Sequence, residues 1–72
     1  MKKYKGAKES GVSAYETGPD WIRVQFKDGT VYTYNYETAG RIHVETMKDL
    51  AVSGKFLSTY ISKYVRDNHV PV

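Results

Sequence analysis

The chain has no cysteine, only two histidines, only two prolines and no long apolar run. Without thiols it can form neither disulfides nor thiolate metal sites. His43 and His69 stand far apart with no carboxylate-rich spacing between them, so three or four converging metal ligands cannot be read from the sequence. No segment approaches the roughly 18 apolar residues of a membrane span, and no apolar export segment follows the N-terminal lysines. The expectation is a soluble, cytoplasmic protein with no metal and no membrane partner. Serines and threonines are plentiful, but a nucleophile elbow and a Gly-rich phosphate loop are both missing. Seventy-two residues also leave little material to enclose a dry, preorganised active site. A non-enzymatic binding protein without a cofactor is expected.

A single domain of this length hides only about 60% of its unfolded surface, so self-association is an expected way to complete its core. The net charge of +3 is unevenly placed. Lys2, Lys3, Lys5 and Lys8 come first; from Glu9 onward seven Lys or Arg face eight Asp or Glu, a balance of −1. Residues 1–9 read as a flexible basic tail, 10–66 as the folded domain and 67–72 as a C-terminal tail.

Aromatic residues are what the chain has in quantity. Trp21 to Tyr36, WIRVQFKDGTVYTYNY, holds five of its ten. This stretch reads as two strands joined at Asp28-Gly29. A two-residue loop there would oppose Phe26 to Val31 and Ile22 to Asn35. A three-residue loop, Lys27-Asp28-Gly29, opposes Phe26 to Thr30, Val24 to Tyr32 and Ile22 to Tyr34. One residue of register turns a whole strand over. The second choice gathers Ile22, Val24, Phe26, Tyr32, Tyr34 and Tyr36 on one face, a better use of scarce apolar surface. It predicts half-buried tyrosines whose hydroxyls reach the rim. The opposite face then carries Trp21, Arg23, Gln25, Val31, Thr33 and Asn35.

Val12 to Thr17 alternates weakly and ends at the Gly18-Pro19-Asp20 turn signal, giving a third strand. A helix is expected over Ala39 to Ala51, with Thr38 as N-cap and Ala39, Ile42, His43, Met47 and Leu50 as its apolar stripe. After Ser53-Gly54 a second helix, Lys55 to Val65, repeats Phe56, Leu57, Tyr60, Ile61, Tyr64 and Val65 at three and four. The predicted fold is α+β: a three-stranded antiparallel β-meander with two short helices packed on one face.

In this order the elements resemble the KTSC domain, a small module named for lysyl-tRNA synthetase C-terminal domains and found in stand-alone bacterial and phage proteins. The resemblance runs from about Ser10 to Tyr64. It rests on Ala14-Tyr15, the Ile22, Val24 and Phe26 run, Asp28-Gly29, the Tyr32 and Tyr34 pair, and Gly54 followed by Phe56, Leu57, Ile61 and Tyr64. Glu37-Thr38 replaces the family's proline before the first helix, and its Ser-x-Gly is shifted to Val52-Ser53-Gly54. The resemblance implies a small α+β fold and RNA binding.

Three functions fit these features. The preferred one is a phage-type sponge that sequesters a small nucleotide signal, such as a cyclic dinucleotide, as a homo-oligomer, and so counters immune signalling in the host cytoplasm. The near-neutral body favours a ligand with two phosphates over a long phosphate backbone. RNA binding is the alternative, and a protein adaptor using the Trp21 face is the second alternative. The candidate contacts are Trp21, Arg23 and Thr33 on the sheet, the Tyr34 hydroxyl at its rim, and Lys55, Tyr60, Lys63 and Arg66 in and after the second helix. Sequestration predicts binding that is independent of Met1 to Lys8.

Overall fold

The computed structural model describes residues 1–71, the side chain of Glu9 excepted; Val72, the end of the expected C-terminal tail, lies outside the described residues. Four strands, β1 (Lys2–Lys3), β2 (Val12–Thr17), β3 (Trp21–Phe26) and β4 (Val31–Asn35), form one antiparallel sheet in sequence order. Helix α1 (Arg41–Ser53) and helix α2 (Leu57–Tyr60), which continues into a π-helical turn (Ile61–Val65), make the second layer. No described helix is long and apolar enough to cross a membrane.

The α+β class stands, but the sheet has four strands, not three. Lys2 and Lys3, expected in a mobile tail, pair with Tyr15 and Ala14. Extended backbone sends alternate side chains to opposite faces. Tyr4 therefore turns inward and is only 2% exposed. Its amide donates to the Ser13 carbonyl at 3.0 Å. Burying one such side chain contributes about 1.5–3 kcal/mol, enough to hold a two-residue strand in place. Lysines on this edge strand discourage pairing with another sheet.

The β3–β4 hairpin has the expected register, with Ile22 opposite Tyr34 and Val24 opposite Tyr32. Across the three-residue loop the Phe26 amide donates to the Thr30 carbonyl at 2.8 Å, and Gly29 takes φ 93°. The Asp28 carboxylate accepts from the Thr30 amide at 2.9 Å, which holds the Asp28 pKa below its ordinary value. Ile22, Val24 and Tyr34 are fully buried, while Phe26, Tyr32 and Tyr36 pack against the core from its margin. In β2 a register shift between Val12 and Ala14 turns both Val12 and Tyr15 inward, which explains the weak alternation of that strand.

Both helices differ in detail from their sequence patterns. Helix α1 begins at Arg41 after Gly40, which takes φ 94°. Thr38 does not cap it, because its hydroxyl accepts from the Asn35 amide in the preceding turn. Of the expected stripe, Met47 is buried within the helix, Ala39 is buried just before it and Leu50 packs against the core, while Ile42 is 78% exposed; Val44 and Ala51 complete the buried face. In the second helix Leu57, Ile61 and Val65 are buried at intervals of four, whereas Phe56 is 73% exposed. On an α-helix a spacing of four drifts by about 40° per repeat. The π turn, closed by the Arg66 amide on the Ile61 carbonyl at 2.6 Å, offsets that drift. Beyond it, Val70 donates to the Thr33 carbonyl at 2.6 Å and His69 stacks on Tyr32 at 4.0 Å, so this tail lies along β4.

Candidate functional site

Tyr34 apart, which reaches the Arg66 carbonyl, the sequence-predicted contacts fall into two groups, one on the sheet and one in the helical layer. Trp21, Arg23 and Thr33 come together on the outer face of the sheet. Arg23 donates through Nε to the Thr33 hydroxyl at 3.2 Å and pairs with Glu16 at 3.0 Å. Its guanidinium carbon lies 5.0 Å from the Trp21 ring centroid, a cation–π contact. Gly18 backs the indole so closely that any side chain there would collide with it. Trp21 is thus held between backbone and guanidinium, and Arg23 is already engaged on three sides.

Lys55, Tyr60, Lys63 and Arg66 belong to the helical layer. The Tyr60 hydroxyl lies 2.6 Å from His43 Nδ1, and the Tyr60 and Tyr64 rings lie 4.6 Å apart. Lys63 and Arg66 are exposed, and neither forms an ion pair among the described residues. Tyr34 is removed from the candidate contacts: its ring is fully buried and its hydroxyl donates to the Arg66 carbonyl at 3.2 Å. Burial pushes its pKa up to about 12.

Lys55 instead borders a cleft of about 600 Å³ that the sequence did not reveal. One wall is Tyr4, Gly6, Ser10 and Gly11 from the first segment; the other is Gly54, Lys55, Phe56, Ser58 and Thr59 from the α1–α2 junction. The junction is shaped by two left-handed residues, Gly54 at φ 75° and Phe56 at φ 63°. Gly54 ends α1 with its amide on the Leu50 carbonyl at 2.9 Å. Phe56 is a bulky residue in a conformation that costs about 1–3 kcal/mol, and its ring is turned to solvent.

The two walls touch through glycine. A side chain at Gly6 would collide with the Gly54 carbonyl, and a Cβ at Gly54 would lie 2.6 Å from Lys5 Cβ. Behind them the Tyr4 hydroxyl accepts from the Leu57 amide at 3.3 Å. The described lining supplies one ammonium (Lys55), the exposed Phe56 ring and the hydroxyls of Ser10, Ser58 and Thr59 beside that of Tyr4; the Ser10 hydroxyl accepts from the Val12 amide at 3.1 Å. None of the described lining residues is acidic. No group of three or more His, Asp or Glu residues that could hold a metal occurs among the described residues.

Phe56, Ser10, Ser58 and Thr59 are the site residues that sequence reasoning missed. One signal was available for Phe56: the four-residue spacing of Leu57, Ile61 and Val65 leaves it off the buried stripe. Comparison with protein-family models, curated proteins and solved structures yields no match to this chain.

Proposed function

We propose that the protein is a non-catalytic nucleotide-binding module, a sponge that sequesters a small nucleotide signal as a homo-oligomer. The observation that carries this reading is the cleft between the first segment and the α1–α2 junction. Its volume of about 600 Å³ falls in the range of small-molecule sites. Lys55 and the neighbouring hydroxyls suit a phosphate, since hydrogen bonds to a charged group contribute about 1.5–3 kcal/mol each. The Phe56 ring suits a base, which stacking holds with about 1–3 kcal/mol. Ile42 and Tyr64, both more than half exposed, provide apolar surface for association. The occurrence of stand-alone KTSC modules in phages as well as bacteria supports an immune signal of the host as the preferred ligand class.

RNA binding remains the second reading, favoured by a specific observation. Lys2, Lys3, Lys5 and Lys8 lie on an ordered segment of the domain, so their charge belongs to its surface. A thermal-shift titration with cyclic dinucleotides, with light scattering for subunit number, tests the proposal. Sequestration predicts a saturable shift at physiological salt and recovery of the ligand unchanged on denaturation. A strict monomer with no response contradicts it, and a steeply salt-dependent response to single-stranded RNA alone transfers the function to the second reading.

A further inference from the structure

We infer that the first eleven residues are half of the binding site, and that their docking and occupation of the cleft are thermodynamically linked. This rests on the nucleotide-binding reading for the ligand, but the linkage between the two walls stands on geometry alone. Tyr4, Gly6, Ser10 and Gly11 form one wall of the cleft, so a chain that releases this segment has no cleft to offer. The attachment is local and specific. Two strand residues pair with β2, the Tyr4 ring is buried, its hydroxyl receives the Leu57 amide, and Gly6 rests against the Gly54 backbone.

The segment carries four exposed lysines within its first eight residues, and Lys55 borders the cleft from the opposite wall. A phosphate seated beside Lys55, within reach of Ser10, bridges both walls. A ligand that binds only the docked form must stabilise docking by the same factor by which docking raises its affinity. Binding that depends on Met1 to Lys8 replaces the tail-independent binding expected from the sequence.

Gly6→Ala isolates this device. Gly6 has an ordinary φ of −86°, so alanine is tolerated by the backbone there. Its methyl would meet the Gly54 carbonyl across the junction, a backbone atom that cannot turn aside. Hydrogen exchange on the full chain, wild type and Gly6→Ala, alone and with saturating cyclic di-AMP or cyclic di-GMP, is the test. Without ligand, Gly6→Ala should speed exchange of the Tyr4 and Leu57 amides together, by about tenfold or more, and leave Val24 and Val44 protected. With ligand, the wild type should gain protection at both segments, and Gly6→Ala should bind about tenfold more weakly. Faster exchange at Tyr4 with no change at Leu57 would overturn the inference, as would equal affinity of the two proteins. If neither dinucleotide binds the wild type, the sequestration reading fails, while the ligand-free comparison still decides the linkage.

Discussion

The outer sheet face and the cleft hold similar chemistry in opposite states. Each has one large aromatic ring, one cation and neighbouring hydroxyl groups. On the sheet, Arg23 is engaged by Trp21, Glu16 and Thr33, and Gly18 backs the indole. At the cleft, Lys55 forms no ion pair among the described residues, and the Phe56 ring is held in solvent by a strained backbone. A charged group already satisfied inside the fold must give up its partners before it can take a ligand. A group held beside an open cleft need not. The residue types that make a site are common to both regions, and the state of their partners separates them.

That contrast can be broken by substitution. The largest expected effect concerns the cleft's foundation. Tyr4→Ala should destabilise the protein by about 3–5 kcal/mol in denaturant unfolding, the range for deleting a buried aromatic side chain. A tyrosine in a free tail would cost nothing. Next in size, Lys55→Ala should weaken nucleotide binding by about tenfold or more in calorimetric titration, the loss of one charge-assisted hydrogen bond. Arg23→Ala and Trp21→Ala should leave that affinity unchanged.

A smaller effect has opposite signs in stability and function. Phe56→Gly should raise stability by about 1 kcal/mol, because glycine adopts the left-handed conformation without the penalty of a side chain. The same variant should lose the stacking contribution to affinity. Thermal unfolding and ligand titration of one preparation would show both. The smallest effect belongs to the sheet face. Glu16→Gln should cost less than about 1 kcal/mol and less still at high salt, since both side chains of the Arg23 pair are over 40% exposed. A larger loss would mean that the Trp21–Arg23–Glu16 group has a role beyond holding the surface together.

The hairpin could be read from sequence because its information is local. A period of two, a Lys27-Asp28-Gly29 loop and the need to bury Ile22 and Val24 determine the register together, and Ile22 does face Tyr34. The inward Tyr34 followed from the same reasoning. Strand β1 could not be read, because two lysines carry no apolar alternation and their pairing is decided by Tyr4 entering a core built elsewhere. The α1 stripe was legible in part: Met47 and Leu50 do face the core, but a pattern that included Ile42 missed Val44 and Ala51, which lie on the buried face. For the site, Lys55 was visible as a cation, but the partners that make it a cleft residue lie about fifty positions away at Tyr4, Gly6 and Ser10. Proximity of that range leaves no mark in a single sequence.

Mapping backbone amide chemical shifts during titration with a cyclic dinucleotide tests most directly that the cleft, and not the sheet face, is the binding surface. The account predicts saturable changes confined to residues 4–11 and 54–59, with Trp21, Arg23 and Thr33 unmoved. Changes centred on Trp21, Arg23 and Thr33, with the cleft residues silent, would contradict it.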